Sequence, residues 1–146
     1  KKKFSLVKRI GYDNMIQSDN KNFIKKIKEF TKNKLFDYCI EAAGKTETIE
    51  LGLNLLNNSG KLIFASHPEN NKKISINPHE LIKGKQIIGS WGGNSKPDKD
   101  INRFYKIFKK NNFLKFLEGK IYPQKNYKRA IKDFEDGKVL RPILKM

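Results

Sequence analysis

Residues able to carry acid–base, nucleophilic or metal chemistry are scarce in this chain of 146 residues. It contains one cysteine, Cys39, and two histidines, His67 and His79. These positions do not have the spacing of a zinc site, and no C-x-x-C occurs. Ser66 and His67 are not a hydrolase pair, because neighbours on a strand point to opposite faces. We therefore expect no catalytic residue and no metal ligand in this chain.

Two apolar segments that end in small residues must position any ligand site. Leu35–Glu41 is followed by Ala-Ala-Gly44, and Lys61–Ala65 is followed by serine and histidine. Between them, Thr46–Asn57 has the apolar spacing of a helix that begins at a threonine cap. Strand, helix and strand in this order predict a parallel crossover, and hence an α/β fold with a partial doubly wound, Rossmann-type parallel sheet. Ligands of such sheets bind beyond the carboxyl ends of the strands.

Other segments complete the predicted elements. The alternation in Lys73–Ile76 predicts an edge strand with Ile74 and Ile76 on its apolar face. A helix near the C-terminus should place four residues inward: Tyr127, Ala130, Ile131 and Phe134. The remaining predicted helices cover Lys1–Ile10, Lys21–Lys32 and Pro78–Ile82, and a further helix begins at Asp98 or Asp100. The remaining predicted strands cover Asn14–Gln17, Gln86–Ser90, Gly119–Tyr122 and Val139–Leu144. Phe113–Leu117 is a short apolar segment.

The charge of the chain is strongly positive, with 32 Lys+Arg against 15 Asp+Glu and a formal net charge of +17. Such a balance is typical of proteins that bind nucleic acid or an acidic membrane surface. Nearly all of the positive charge is lysine, however, whereas nucleic-acid readers favour the bidentate fork of arginine. The lysines are also scattered over several elements. We interpret the charge as a solvated surface and expect no nucleic-acid partner.

The single Cys39 excludes an intramolecular disulfide and is typical of a reducing, cytoplasmic location. No run of residues approaches the length of a membrane-spanning helix, and the first residues do not form a signal peptide. We therefore expect no membrane partner. Because no G-x-G-x-x-G occurs, we interpret Lys1 as a truncation point or an alternative gene start.

Four stretches resemble the C-terminal part of the medium-chain, zinc-dependent alcohol dehydrogenase family: Phe36–Gly44, Gly60–Phe64, Ile88–Gly93 and Gly137–Leu144. Their order and spacing match the family along the whole chain, which corresponds to less than half of a family member. The resemblance implies that residues 1–96 are the C-terminal part of a dinucleotide-binding domain. Residues 97–146 would supply the helices and final strand at its junction with the catalytic domain, including the C-terminal return segment of that domain.

The resemblance also implies NAD or NADP as cofactor, lying across the strand ends. Lys3 matches a lysine that approaches the adenosine ribose, and Arg141 matches an arginine that contacts the pyrophosphate with its planar fork. The other candidates follow the three strands: Ala43, Gly44 and Lys45; Ala65, Ser66 and His67; Ser90 and Trp91. Simpler structural readings remain open: a surface lysine for Lys3, an ordinary turn for Gly44, a solvent-facing side chain for His67, and a core position for Trp91.

The function implied is that of a fragment of an oxidoreductase, which transfers hydride between NAD(P) and an alcohol or aldehyde substrate. Zinc is expected only in the N-terminal half that this chain does not match, so the chain alone should be inactive. Family members pair sheet edges near Lys72–Asn77, which implies a homo-oligomer through that segment. The alternative is a non-catalytic, truncated remnant that acts as a binding or structural module. An upstream G-x-G-x-x-G with zinc ligands would favour the oxidoreductase.

Overall fold

The computed structural model describes residues 4–9, 11–110 and 119–146 of the chain. The chain divides into two compact units, one of residues 18–95 and the other of residues 1–17 with 96–146. The first helix, α1, spans Phe4–Arg9, while Lys1–Lys3 and Ile10 from the predicted helix lie outside the described residues. The assignment of residues 1–96 to a cofactor domain stays a prediction, since residues 1–17 group with the other unit.

The unit of residues 18–95 contains a three-stranded parallel sheet, as the sequence predicts. Its strands lie in the order β1-β2-β3, which is also their order along the chain. The apolar strand segments and the amphipathic helix between them therefore form the expected α/β arrangement. The elements of this unit are α2, Phe23–Phe30; β1, Phe36–Glu41; α3, Thr46–Asn54; β2, Leu56–Phe64; α4, Pro78–Ile82; and β3, Gln86–Gly89.

The core of this unit lies between α3 and one face of the sheet. It consists of four buried residues: Ile49, Leu53, Leu56 and Leu62. Burying an aliphatic side chain of this size stabilises the fold by about 1.5–3 kcal/mol. Helix and sheet approach closely at Gly52, where an added Cβ would lie 2.8 Å from Leu62 Cδ1. This contact fixes α3, and with it the turn that joins β1 to α3.

Two predicted strands are wrong. Residues 12–17 and residues 72–77 adopt no strand in the structure. Ile74 and Ile76 do face the core, but the N–H of Ser75 donates to Glu50 Oε1 at 2.7 Å. A helix side chain, rather than a neighbouring strand, thus satisfies this backbone group, which explains why the alternating pattern is present without a strand.

The second unit carries a parallel pair of short strands. The α-helices and strands described after residue 95 are α5, Pro97–Lys110; β4, Lys120–Pro123; α6, Tyr127–Glu135; and β5, Pro142–Lys145. Strands β4 and β5 pair in parallel, and the predicted segment Phe113–Leu117 lies outside the described residues.

The inward face predicted for α6 is only partly correct. Ala130 is buried, but about half of each of the other three predicted side chains is exposed: Tyr127, Ile131 and Phe134. Asp133 is buried instead, because the hydroxyl of buried Tyr122 on β4 donates to its Oδ2 at 2.8 Å. The Tyr122 hydrogen bond, together with Lys138, holds the pKa of Asp133 below its ordinary value against the effect of burial. A polar contact therefore outweighs the apolar periodicity of this helix.

Candidate functional site

The carboxyl ends of the three parallel strands lie in one row at one edge of the sheet. Glu41 is paired with Phe64, which is paired in turn with Gly89. The ladder continues one step beyond the strands, since Ala65 N–H donates to the Glu41 carbonyl at 3.0 Å and Ser90 N–H donates to the Phe64 carbonyl at 2.9 Å. The turns after β1, β2 and β3 therefore lie side by side.

The turn after β1 is held by the side chain of the last strand residue. Glu41 Oε1 accepts hydrogen bonds from the N–H groups of Ala43 at 2.7 Å and Gly44 at 3.0 Å. Gly44 has φ of 75°, which favours glycine, and a Cβ there would lie 3.5 Å from the His67 carbonyl oxygen. Ala43 and Lys45 are exposed, so this turn presents small residues and one lysine to solvent.

Glu41 itself is buried, with 5 % of its surface exposed. Burial raises the pKa of its carboxyl, but hydrogen bonds from Ser66, Thr48, and the N–H groups of Ala43 and Gly44 outweigh burial and leave that pKa below its ordinary value. The carboxyl is therefore ionised at neutral pH and acts only as an acceptor.

Cys39 lies two residues before Glu41 on the same strand and is half-buried against the core. Burial, and secondarily the Glu41 carboxylate, raise the pKa of the Cys39 thiol. The thiolate, not the thiol, is the nucleophile of cysteine chemistry, so Cys39 is a packing residue.

The turn after β2 carries Ser66 and His67. The Ser66 hydroxyl donates to Glu41 Oε2, whereas His67 is exposed. The imidazole of His67 contacts the indole of Trp91 edge to face, with ring centroids 4.7 Å apart. Trp91 follows β3 and is 81 % exposed, which excludes the core position considered from the sequence.

The turn after β3 holds Trp91 away from the core. Ser90 Oγ accepts a hydrogen bond from Gly93 N–H at 3.1 Å, and the Ser95 hydroxyl donates to the Gly92 carbonyl at 2.7 Å. Gly93 adopts φ of 65° inside a short 3₁₀ turn over Gly92–Asn94. These local bonds fold the glycine-rich segment back on itself, so the indole remains at the surface.

Several main-chain groups at this edge remain free to bind a ligand. In the part of the chain that the structure describes, the main-chain N–H groups of four residues have no hydrogen-bond acceptor within the protein: Ser66, His67, Trp91 and Gly92. The residues just before these turns, Ala65 and Ser90, have small side chains. Such donors, beside an exposed indole, are compatible with a flat ring that carries a carbonyl acceptor, which the nicotinamide carboxamide provides.

Two of the predicted cofactor residues are not part of the unit of residues 18–95. Lys3 falls outside the described residues. Arg141 is exposed and lies directly before β5 in the second unit. Sequence reasoning missed Glu41 and Thr48, although an acidic residue that closes an apolar strand was a visible signal for the first of them.

The part of the site that the structure describes contains no cluster of metal-ligating side chains. Among residues 4–9, 11–110 and 119–146, no three side chains of His, Cys, Asp or Glu are placed to hold a metal ion. The residues described do not therefore suit the zinc that the resemblance implies for the whole protein.

An open cleft of about 690 Å³ lies at the opposite, amino ends of the strands. Its buried cation is already paired, because Lys85 contacts Glu80 Oε2 at 2.6 Å and donates to the Leu53 carbonyl at 3.0 Å. The side-chain amide of Asn57, which also lines the cleft, donates to Asp37 Oδ1 at 2.5 Å. These groups serve the fold, so the cleft is a weaker candidate than the carboxyl edge.

Comparison with known proteins agrees with the resemblance in the sequence. The family model described as zinc-binding dehydrogenase matches residues 1–110. The chain belongs to the zinc-binding dehydrogenase family. Alcohol dehydrogenase-like 1 from Arabidopsis thaliana is 29% identical over 151 aligned residues, which cover 99% of this chain and 38% of that protein.

Solved structures of the zinc-binding dehydrogenase family share the fold over nearly the whole chain. Benzyl alcohol dehydrogenase from Acinetobacter calcoaceticus is 25% identical with a TM-score of 0.84, over 98% of this chain and 40% of that one. An alcohol dehydrogenase zinc-binding domain protein from Burkholderia ambifaria is 24% identical with a TM-score of 0.83. The match covers 98% of this chain and 39% of that one. The chain thus spans about two fifths of the length of these relatives. None of the described helices is long and apolar enough to span a membrane.

Proposed function

We propose that the edge formed by the three strand ends binds the nicotinamide half of NAD or NADP in an oxidoreductase acting on an alcohol or aldehyde. The free N–H groups of Ser66, His67 and Trp91, gathered beside small residues, are the observation that carries this proposal. Membership of a dehydrogenase family supports it. The carboxyl ends of parallel strands are also where such sheets bind nucleotides.

The residues of this edge would bind and orient the cofactor rather than react. Main-chain N–H groups after β2 and β3 would hold the carboxamide, and the exposed Trp91 would cover one face of the ring and exclude water. Ala43 and Gly44 would leave room for the nucleoside, with Lys45 beside them. A bound nicotinamide supplies the hydride chemistry at its own ring carbon.

Other parts of the proposal rest on the family resemblance. Arg141 would contact the cofactor pyrophosphate through its fork, and Lys3 would approach the adenosine ribose. Zinc ligands would lie in the part of the longer relatives that this chain does not match. With its single cysteine, the protein would act in the cytoplasm.

Residues 72–77 would form a contact between two copies of the chain. In the described part of the molecule, the N–H groups of Ile74 and Ile76 have no acceptor, whereas that of Ser75 is already bound to Glu50. Backbone groups of this kind form ladders with another chain. A two-fold axis through this segment would make the contact isologous.

A binding titration tests the cofactor assignment. Calorimetry with NADH and NADPH should show binding of at least one by the 146-residue chain, and emission from Trp91, the only tryptophan, should fall as the cofactor binds. Arg141→Ala should weaken binding about tenfold, since a charged hydrogen-bond pair to phosphate is lost. Arg103→Ala, an exposed arginine on α5, is the matched control and should bind as the unaltered chain does. Absence of binding for both cofactors up to about 1 mM would contradict the proposal.

A further inference from the structure

Glu41 is a buried carboxylate whose two oxygens serve two different turns. Oε1 accepts hydrogen bonds from the N–H groups of Ala43 and Gly44 and from the Thr48 hydroxyl, the last at 2.6 Å. Oε2 accepts one from the Ser66 hydroxyl. The first three donors belong to the turn after β1 and the first turn of α3, and the fourth belongs to the turn after β2. One side chain therefore bridges two of the three turns at the candidate site.

No cation of the described residues compensates the charge of Glu41. Among the described residues, no lysine, arginine or histidine forms an ion pair with it. A buried charge that lacks a counter-ion depends on its hydrogen bonds, and leaving it short of donors is costly. Two of its donors are N–H groups just before α3, where the helix dipole also favours a negative charge. All four donors are therefore needed together, which makes the two turns interdependent.

The two turns are also in direct contact. A Cβ on Gly44 would lie 3.5 Å from the carbonyl oxygen of His67 and 3.8 Å from Ser66 Cβ. With 5 % of its surface exposed, Glu41 does not itself reach the exposed edge. Its influence on a ligand there must pass through the main chain that it holds.

We infer that Glu41 is a positioning residue that couples the turn after β1 to the turn after β2 and so fixes the spacing of the ligand-facing main-chain groups. The coupling follows from the hydrogen bonds alone. Its consequence for cofactor affinity rests on the proposed function. Two experiments separate these parts.

The coupling is tested by amide hydrogen exchange, measured by NMR, in the chain carrying Ser66→Ala. Ser66→Ala removes the hydrogen-bond donor to Oε2, so the Glu41 carboxylate should become more mobile. Exchange of the Ala43 and Gly44 amides should then be about tenfold faster, although both residues lie more than twenty positions from Ser66 along the chain. Ser59→Ala is the matched control: it is the same substitution within β2, toward the amino end of the strand, where the hydroxyl has no partner in the described residues. Unchanged exchange at Ala43 and Gly44 in Ser66→Ala would overturn the inference.

The consequence for binding is tested with NADH and NADPH on Glu41→Ala and Glu41→Gln, at a temperature where each variant is folded. Gln keeps one carbonyl oxygen for the β1 turn and offers an N–H to Ser66 Oγ. We expect Kd to rise about tenfold or more in Glu41→Ala and to be partly restored in Glu41→Gln. If Glu41 contributed only to stability, Glu41→Ala would lower Tm and leave Kd unchanged. That result would overturn the positioning role. Failure of the unaltered chain to bind either cofactor would defeat the proposed function instead, and the exchange experiment would still decide the coupling.

Discussion

The imidazole of His67 meets the indole of Trp91 at an interplanar angle of 84°, with ring centroids 4.7 Å apart. The two residues follow different strands, β2 and β3, and each is exposed. Edge-to-face contacts between aromatic rings contribute about 0.5–1.5 kcal/mol beyond the area that they bury. This pair therefore joins the second and third turns of the candidate site, as Glu41 joins the first and second.

Replacing His67 by alanine should change the environment of Trp91. Because Trp91 is the only tryptophan, all tryptophan emission comes from this residue, and the spectrum should shift in position or intensity. His79→Ala removes the other, exposed histidine and should leave the emission unchanged. Identical spectra for the unaltered chain and His67→Ala would show that the ring contact does not form in solution.

Glu41 should make the stability of the chain sensitive to acid. Its pKa is lowered in the folded state from the ordinary value of 4.5, so it contributes stability that is full above that value and is lost as pH falls through the lower, folded pKa. Glu41→Gln, which does not titrate, should be less stable than the unaltered chain at neutral pH, and the difference should shrink below about pH 4.5. Denaturant unfolding over this range measures the difference. A difference in the free energy of unfolding that stays constant with pH would contradict the lowered pKa of Glu41.

The sheet and the strand ends could be predicted from the sequence because they depend on local patterns. Apolar runs ending in small residues identify β1, the second half of β2, and the turns that carry Gly44 and Ser66. The predicted helix Thr46–Asn57 is too long, because α3 ends at Asn54 and Leu56 already begins β2. The position of Trp91 was not predictable, since a lone tryptophan after a strand is compatible with the core or the surface, and only the folded glycine-rich turn decides it.

Long-range side-chain contacts account for the other differences. The alternation around Ser75 predicted a strand, but its N–H bonds to Glu50, which is 25 positions away. Asp133 is buried on a face where periodicity predicted apolar residues, because Tyr122 supplies its hydrogen bond. The role of Glu41 depends in the same way on Ser66, a partner that the sequence does not indicate.

Gly52→Ala should destabilise the unit of residues 18–95. The new methyl would lie 2.8 Å from Leu62 Cδ1, and Leu62 is fully buried, so overpacking of about 1–3 kcal/mol should outweigh the gain of up to about 1 kcal/mol from better helix propensity. Chemical denaturation measures the loss. Combining Gly52→Ala with Leu62→Val removes the clashing carbon. The loss of unfolding free energy in the double variant should therefore be smaller than the sum of the losses in the two single variants. Full additivity of the two changes would contradict the contact.

Ile74→Pro should weaken self-association through residues 72–77. Proline removes an N–H that is free in the described structure and so available to a second chain. Ile74→Ala is the control, because it loses the packing of the side chain against the core but keeps the N–H. We expect sedimentation to show dimers for the unaltered chain and for Ile74→Ala, and monomers for Ile74→Pro. Dimers that survive Ile74→Pro, or that disappear equally in Ile74→Ala, would show that no backbone ladder forms here.

The central claim is that the carboxyl edge of the sheet, and not the cleft at its amino edge, binds the cofactor. The most direct measurement is an NMR titration of the chain with NAD and with NADP, following the backbone amide signals. We predict that signals of Gly44, Ser66, His67 and Trp91 move together and saturate, while those of Asn33 and Asn58 in the cleft stay in place. Shifts confined to the cleft residues, or no saturable shift with either cofactor, would contradict the account.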